Sequence, residues 1–238
     1  MKLHRFYVDD MELQHNFWMQ NKELFHQWTR VLRFQTGREL VIFNNNQEEK
    51  LYKIIKIGND AVQLELITEM HPKLPKKDIY LCFSLLKKDK NDWVLQKGTE
   101  LGVRHFVPLL CDRTEKTGFS VERAEKIVIE AAEQCGRADI PRIREPITLS
   151  SLIHELSDKA QLLITEQGST LSPEPSALNP ENSIAVLIGP EGGWSDAEKQ
   201  LFTDKELKHL ALSEFTLRAE TAAIVAVALI DKVYKKEG

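Results

Sequence analysis

A glycine-rich segment follows an apolar run in the C-terminal half of the chain. The run Ile184–Ile188 leads into Gly-Pro-Glu-Gly-Gly at Gly189–Gly193, and Ser195 and Glu198 then have the spacing of a helix-capping box. Glycines accept positive φ angles and lack a Cβ, so their backbone can lie against a ligand. Because α/β proteins bind ligands at the carboxyl ends of their strands, this segment predicts one wall of a ligand site. A simple connecting turn is the structural alternative.

The order of residues in the glycine segment restricts the ligand. It is neither the G-x-G-x-x-G of dinucleotide-binding folds nor the G-x-x-x-x-G-K-[ST] of ATP-binding loops. Pro190 also removes a backbone N–H that a phosphate cradle would use. A Rossmann-type nucleotide enzyme is therefore disfavoured. Retention of NAD after purification would support this alternative. A cofactor without phosphates, held by an adenine edge and an amino-acid end, fits better.

A second charged segment repeats this arrangement nearer the C-terminus. The apolar run Leu207–Leu212 leads to Arg218–Ala222 (RAETA), and the helix predicted over 221–234 is apolar nearly all round. Such a helix is buried on most faces, within the core or against another subunit. Charged side chains next to buried surface are paired or face a cleft. A salt bridge between Arg218 and Glu220 is the structural alternative to a functional role.

Composition indicates a globular chain with one basic region. The 238 residues are 42% hydrophobic and 29% charged, enough for one large domain or two unequal ones. A net charge of −4 argues against a protein that coats nucleic acid along its whole surface. From His71 to Arg104, however, seven Lys and one Arg stand against three Asp and one Glu, a local balance of +4. A local nucleic-acid contact stays open, as does a solvated lysine face without a partner.

The sequence also predicts a cytoplasmic protein without a metal. No apolar run approaches the roughly 18 residues of a membrane span, and the first residues lack the apolar core of a signal peptide. Cys82, Cys111 and Cys135 are far apart and lack the spacing of a zinc site or a disulfide framework. We therefore expect neither a membrane segment nor a bound metal.

The distribution of apolar residues divides the chain into two parts. Short strands at 39–43, 50–57 and 61–67, separated by turn residues, predict a small β-barrel over residues 1–70. Two prolines and three lysines at 71–77 are typical of a linker. From residue 78 onward apolar runs alternate with amphipathic helices, which predicts an α/β layer with a mainly parallel sheet. The predicted strands of this layer are 79–86, 105–110, 161–165, 184–188 and 207–212.

Two further features of the α/β part are predicted from local patterns. Ala124, Val128 and Ala131 recur at helical spacing and predict a helix over 121–134, with Gly136 placed to end it. The Ser/Pro-rich stretch 169–180 interrupts the alternation and is typical of an exposed loop.

Five motifs, in the expected order, resemble one family. The segments Gly189–Ser195 and Leu217–Ala222 resemble those of the RsmE family, the 16S rRNA (uracil-N3)-methyltransferases of the SPOUT superfamily. Lys97–Val103, Glu133–Arg137 and His4–Tyr7 agree with the same family, so the resemblance spans nearly the whole chain. It implies a PUA-like β-barrel that helps to hold RNA, followed by an α/β methyltransferase domain with a trefoil knot, which periodicity cannot predict. It also implies S-adenosyl-L-methionine (SAM) as cofactor and a homodimer that acts on ribosomal RNA of the small ribosomal subunit.

The resemblance, together with the positions of charged residues in this chain, leads us to expect three groups of site residues. Arg218 is the first candidate for a cation that stabilises the developing uracil anion. Glu191 or Glu220 is the candidate for a base, or for a residue that orients this arginine. RNA contacts are expected at Arg5, Arg33, Lys87, Lys88, Lys97 and Arg137. Contacts with SAM are expected at Thr165, Glu166, Leu187, Ile188, Gly189, Pro190, Gly192, Gly193, Leu212, Ser213, Leu217, Arg218, Thr221 and Ala222.

Two other functions stay open. An enzyme of the same superfamily that methylates another base of rRNA or tRNA is one, and mapping of modified nucleotides in cells that lack the protein distinguishes it. A catalytically inactive RNA-binding assembly factor is the other. The intact glycine segment and residues 218–221 argue against such a factor, and an absence of SAM affinity would favour it. Methylation at N3 follows from the family resemblance alone.

Overall fold

The chain folds into two compact units. The computed structural model describes residues 3–9, 11–115, 118–166 and 183–235. The first unit comprises the residues up to Leu74 together with Ala132–Ile140, and the second comprises Pro75–Ala131 and the residues from Pro141 onward. The predicted loop at 169–180 lies outside the described residues.

The first unit contains a five-stranded sheet in the order β1-β3-β4-β5-β2. β1 is parallel to β3, and the other neighbours are antiparallel. The strands predicted at 39–43, 50–57 and 61–67 are β3, β4 and β5. A short helix and a π-helical turn connect β2 to β3. The elements are β1 (His4–Val8), β2 (Asn16–Met19), α1 (Lys22–His26), the π-helical turn (Gln27–Val31), β3 (Glu39–Asn44), β4 (Glu49–Ile57) and β5 (Val62–Glu69).

The core of the first unit lies between this sheet and the π-helical turn. Alternate residues of a strand point to opposite faces, and the buried Leu40 and Ile42 of β3 share one face. Ile54 of β4, Leu64 of β5 and Trp28 of the π-helical turn belong to the same cluster. Among the described strands β1 and β2 stand at the two ends of the strand order.

The second unit contains a seven-stranded sheet in which every pairing is parallel. The order is β12-β10-β11-β6-β7-β8, with β9 also beside β7. The central strands are apolar along their length, as expected when helices cover both faces, which confirms the predicted α/β layer. The strands are β6 (Ile79–Ser84), β7 (His105–Leu110), β8 (Arg142–Ile143), β9 (Ile147–Thr148), β10 (Ala160–Ile164), β11 (Ser183–Ile188) and β12 (Lys208–His209).

Helices join these strands, and the last one returns to the centre of the sheet. They are α2 (Lys88–Glu100), α3 (Val121–Cys135), α4 (Leu149–Leu156), α5 (Asp196–Asp204) and α6 (Ala219–Lys235). The predicted helix over 121–134 is α3, and Gly136 follows it with a φ of +90°, as expected of a helix-ending glycine. α6 packs against α2, β6 and β11. Its Ala223 and Val227 are fully buried, whereas Leu229 is 36% exposed. Within this chain, the predicted burial therefore holds for one face of α6.

The last predicted strand is shorter than its apolar pattern. Only Lys208 and His209 pair with β10, whereas the prediction covered 207–212. Beyond them the N–H of Leu210 donates to the carbonyl of Ile164 at 2.8 Å, and the chain then leaves the sheet toward α6. An edge strand has one neighbour, and an apolar run does not predict where its pairing ends.

Candidate functional site

The carboxyl ends of five parallel strands meet at one edge of the larger sheet. β6, β7, β10, β11 and β12 run in the same direction, so the loops that follow them lie at the same edge. The predicted cofactor contacts and catalytic residues all lie in the loops after β10, β11 and β12 or at the adjoining ends of β11 and α6. In open α/β sheets this edge is where ligands bind, and it is the candidate functional site.

The glycine segment forms a tight turn between β11 and α5. The N–H of Gly193 donates to the carbonyl of Pro190 at 2.8 Å, and Gly193 has a φ of +70°. Glycine is the residue that adopts this left-handed conformation at least cost. Leu187 and Ile188 are buried at the end of β11, so their side chains belong to the core. Any contact of these two residues with a cofactor therefore falls to their main-chain atoms.

Trp194 joins the glycine turn to the loop after β10. Its indole Nε1 donates to the carbonyl of Thr165 at 3.0 Å, and the hydroxyl of Thr165 donates to the carbonyl of Leu187 at 3.0 Å. A Cβ built on Gly189 would lie 2.9 Å from the ring of Trp194. The close neighbour that requires glycine at this position is thus the indole ring. The structure adds this packing role to the ligand contact predicted for Gly189.

Glu166 is held by two basic side chains. Its carboxylate forms an ion pair with Lys199 of α5 at 2.7 Å and lies 3.6 Å from Nδ1 of His209 in β12. Glu166 therefore links the loop after β10 to α5 and to the edge strand. Its predicted contact with SAM stays a prediction.

The third predicted loop runs from Leu212 to the start of α6. Ser213 accepts a hydrogen bond from the N–H of Phe215 at 3.1 Å through its hydroxyl, and Phe215 is 80% exposed. The carbonyl of Arg218 accepts from the N–H of Ala222 at 2.8 Å, so Arg218 stands at the N-terminal end of α6. Its side chain is exposed. Leu217 and Thr221 are partly buried on either side of it.

Lys90 connects the two predicted catalytic carboxylates. Its ammonium group, in the first turn of α2, forms an ion pair with Glu191 of the glycine turn and lies 3.4 Å from Oε2 of Glu220 in α6. The side chains of Lys90 and Glu220 are 21% and 14% exposed. The hydrogen bond to Glu191 raises the pKa of Lys90, burial opposes this shift, and the charge of Glu220 adds to it. Glu220 is thus paired with Lys90, whereas the structural alternative from sequence paired it with Arg218.

The loop after β7 supports the glycine turn from its other side. The guanidinium group of Arg113 donates to the carbonyl of Gly192 at 2.9 Å, and Asp112 accepts from the hydroxyl of Ser195. Sequence reasoning did not select Arg113 or Asp112. Their position directly after a predicted parallel strand is the signal that would have brought them to the same edge.

The predicted capping box at the start of α5 is confirmed. The side chain of Ser195 accepts from the N–H of Glu198 at 3.2 Å, and the carboxylate of Glu198 accepts from the N–H of Ser195 at 2.7 Å. The other oxygen of Glu198 accepts from the N–H of Asp112 at 3.0 Å. The capping box therefore also fixes the loop after β7.

Two predicted RNA contacts lie inside the first unit. Arg5 forms an ion pair with Glu49 and donates to the carbonyl of Arg137 at 2.9 Å, and the side chains of Arg5 and Glu49 are 12% and 3% exposed. The side chain of Arg137, 6% exposed, pairs with Asp139 at 2.7 Å. A buried charge separated from its partner is costly, so loss of either arginine would leave a largely buried carboxylate of this unit unpaired. Direct contact with RNA would require these pairs to open.

The other predicted RNA contacts are more accessible. Arg33 is exposed, has a φ of +52°, and lines a cleft of about 360 Å³. Lys87 is exposed at the N-terminal end of α2, and Lys97 forms an ion pair with Glu100 at 2.8 Å on the same helix. The side chain of Lys88 lies outside the described part of the chain. The other residues that line the cleft are His4, Leu32, Phe34, Gln35, Thr36 and Arg38.

The described part of the chain offers no further candidate in the form of a metal site or a membrane-spanning helix. Within residues 3–9, 11–115, 118–166 and 183–235, no group of three or more His, Cys, Asp or Glu side chains is placed to hold a metal ion. None of the helices described over the same ranges has the length and apolar character to cross a membrane.

Comparison with known proteins gives the class that this fold and site define. Residues 72–231 match the RNA methyltransferase domain family, and residues 29–67 match the RNA methyltransferase PUA domain. The chain therefore has the architecture of an RNA methyltransferase with a PUA domain.

Full-length relatives narrow this class to one family. The ribosomal RNA small subunit methyltransferase E of Aquifex aeolicus is 34% identical over 84% of this chain and 88% of its own length. Its counterpart in Bacillus subtilis is 30% identical over 87% of each chain. The chain belongs to the ribosomal RNA small subunit methyltransferase E family. This confirms the family and the fold class predicted from the five sequence motifs.

A solved structure agrees with this assignment. A protein from Legionella pneumophila, solved in complex with the bound cofactor SAM, is 27% identical and has a TM-score of 0.82. The similarity covers 98% of each chain.

Proposed function

We propose that this protein transfers the methyl group of SAM to N3 of a uridine in the ribosomal RNA of the small subunit. The observation that carries the proposal is the linkage of the predicted cofactor loops at one sheet edge. Thr165 is hydrogen-bonded to Leu187 and to Trp194, and Lys90 pairs with both Glu191 and Glu220. Membership of the methyltransferase E family supports the same reaction.

The residues at this edge fit a cofactor that lacks phosphates. Lys90, Glu191 and Glu220 carry one positive and two negative formal charges, so the cluster is net negative. A net negative cluster repels a phosphate. Pro190 offers no N–H to a phosphate, in agreement with this preference. We assign the cofactor contacts to the loop after β10, the glycine turn and the segment from Leu212 to Ala222.

The protein has to position the uracil and assist the loss of its N3 proton. When bound, SAM supplies an activated methyl group for in-line attack, so orientation accounts for much of the rate. We assign Arg218 as the cation that stabilises the developing uracil anion, because its exposed side chain stands at the N-terminal end of α6 beside the predicted cofactor loops. Glu191 and Glu220 are the candidates for accepting the proton or for orienting Arg218.

The reaction is tested directly with purified protein. Assembled small subunits and naked rRNA are incubated with SAM, and the nucleosides are analysed by mass spectrometry. The proposal predicts 3-methyluridine. Another methylated nucleoside would support the alternative of a different base, and a lack of SAM affinity in calorimetry would support an inactive assembly factor.

The role of Arg218 is tested by separating catalysis from cofactor binding. Arg218→Ala should lower kcat by on the order of a hundredfold, as the loss of one transition-state contact does, and change the Kd for SAM little. Because the side chain is exposed, the fold should be retained. Equal losses of kcat and of SAM affinity would make Arg218 a cofactor contact instead.

We further propose that residues 1–70 hold RNA, that 71–77 are a linker and that 78–238 carry the reaction. The match to the RNA methyltransferase PUA domain supports the first assignment. Arg33, Lys87, Lys88 and Lys97 are the proposed phosphate contacts, because phosphates are bound mainly by Lys and Arg. For Arg5 and Arg137 we propose an indirect role through the fold of the first unit, since both form buried ion pairs there.

We also propose that the protein is a homodimer and works in the cytoplasm, where ribosomal subunits are its substrate. The support is one large apolar side chain exposed on each of two helices that pack together, Trp93 (42%) on α2 and Leu229 (36%) on α6. Light scattering after gel filtration should give twice the chain mass, and Leu229→Glu should shift the protein toward the monomer. A monomeric wild-type protein at micromolar concentration would refute the dimer.

A further inference from the structure

Three elements that are far apart in sequence meet at the ammonium group of Lys90. Lys90 lies in the first turn of α2, Glu191 lies 101 residues later in the glycine turn, and Glu220 lies in the first turn of α6. Oxygens of both carboxylates are within ion-pair distance of the same nitrogen. One cation therefore bridges two segments that the sequence motifs assign to the cofactor site.

The position of Lys90 is explained by these carboxylates and not by its own helix. A positive charge in the first turn of a helix is unfavourable, because the helix dipole is positive at that end. Glu220, in contrast, is favourable in the first turn of α6. The side chain of Lys90 is only 21% exposed, so it differs from the solvated lysines of a phosphate-binding face. The two carboxylates, one of them mostly buried, offset both the unfavourable helix dipole and the partial burial of the Lys90 charge.

We infer that Lys90 is a positioning residue that holds the glycine turn against the first turn of α6, by neutralising two carboxylates that otherwise repel each other. The inference rests on the proposed use of these loops to bind SAM. Removal of the ammonium group leaves Glu191 and Glu220 close together without the cation that bridges them. Two like charges that both lie within ion-pair distance of one nitrogen repel each other and favour a wider spacing of the two segments. A cofactor site assembled from both segments then loses its geometry.

Repulsion between Glu191 and Glu220 predicts a result that a simple contact between Lys90 and one carboxylate does not predict. Lys90→Met keeps the apolar stem but removes the charge, and we expect the Kd for SAM in calorimetry to rise by on the order of tenfold. Glu191→Gln alone keeps the pair between Lys90 and Glu220, so its effect should be smaller. The double variant Lys90→Met/Glu191→Gln should bind SAM more tightly than Lys90→Met, because the second change removes the repulsion.

Two controls separate this role from general damage. Lys90→Arg keeps a cation and should retain most of the SAM affinity. Lys126→Met removes an ion pair with Glu122 on α3, whose side chains are 70% and 81% exposed, and should leave SAM affinity unchanged. Thermal unfolding of each variant shows whether its fold is intact.

The outcomes that overturn the inference are distinct from failure of the proposed function. If wild-type protein bound no SAM, the proposed function would fail. If it bound SAM and Lys90→Met bound it equally well, or if adding Glu191→Gln to Lys90→Met brought no recovery, the positioning role alone would be wrong. A Lys90→Met variant that lost RNA affinity and its salt dependence, with normal SAM binding, would make Lys90 a phosphate contact.

Discussion

The indole Nε1 of Trp194 donates a hydrogen bond to the main-chain carbonyl of Thr165 at 3.0 Å. This bond joins the residue after the glycine turn to the loop that follows the neighbouring strand β10. The Trp194 ring also packs edge-on against Phe202 of α5, with a distance of 5.0 Å between the ring centroids. One buried side chain thus sets the spacing between two of the proposed cofactor loops and the helix that follows them.

Replacement of Gly189 by Ala should disturb this arrangement. The added Cβ would lie 2.9 Å from the Trp194 ring, so the ring or the backbone has to move. Overpacking of this kind costs about 1–3 kcal/mol of unfolding free energy. Chemical denaturation should show that loss, together with weaker SAM binding.

Gly192→Ala is the matched control in the same turn. Its added Cβ would lie 3.5 Å from Arg113, an ordinary contact distance. This variant should unfold at the wild-type denaturant concentration. If both alanine variants were equally stable, Trp194 would not be what requires glycine at position 189.

Loss of the Glu198 carboxylate should weaken the start of α5 and the loop after β7 together. Glu198 is 6% exposed and accepts from the N–H groups of Ser195 and Asp112. Glu198→Ala leaves two backbone donors without this acceptor, which should cost about 1–3 kcal/mol of unfolding free energy. Denaturant titration measures the change. Glu122→Ala, which removes an exposed pair on α3, is the control and should unfold like the wild type.

The three cysteines should differ sharply in reactivity. Cys82 and Cys111 are buried thiols, whereas Cys135 is exposed. Burial raises the pKa of Cys82, and it raises the pKa of Cys111 to about 12, so little thiolate forms at either residue near pH 8. Titration of the native protein with a thiol reagent at pH 8 should modify one cysteine quickly and three after denaturation. Rapid modification of two thiols in the native state would contradict the burial of Cys82 or Cys111.

Much of this architecture is predictable from local patterns. The capping box at Ser195 and Glu198 is formed as predicted, because its hydrogen bonds join residues only three positions apart. The glycine after α3 and the strands β3, β4 and β5 were also correctly predicted, since each depends on local propensity and period. The end of β12 was not, because pairing at a sheet edge depends on its single neighbour.

Side-chain partners at the site were harder to predict, because they join distant segments. Lys90 lies in the basic region from His71 to Arg104, for which the sequence left a nucleic-acid contact open, yet it pairs with Glu191 and Glu220. Only the strand order of the sheet brings the loop after β6 beside the loop after β11. Arg5 and Arg137 show the same limit, because a motif resemblance reveals neither burial nor an ion pair.

RNA binding should depend on the cleft that Arg33 and Arg38 line. The thirteen residues from His26 to Arg38 contain three arginines and neither Asp nor Glu, in a chain of net charge −4. The guanidinium group of Arg38 lies over the ring of Phe34 at 5.1 Å, and Arg33 is held at a φ of +52°, a conformation found often at binding sites. The contact with Phe34 orients the guanidinium group of Arg38 before a ligand arrives, which lowers the entropy cost of binding.

The dependence of RNA affinity on salt measures this contribution. Each lost phosphate contact lowers the slope of log K against log salt by roughly 0.7–0.9, so Arg33→Ala and Arg38→Ala should each reduce both affinity and slope. Fluorescence anisotropy with a labelled fragment of small-subunit rRNA provides the measurement. Arg30→Ala is the control, since Arg30 is exposed on the π-helical turn but does not line the cleft. A slope that is the same in wild type and in the Arg33 and Arg38 variants would show that RNA binds elsewhere.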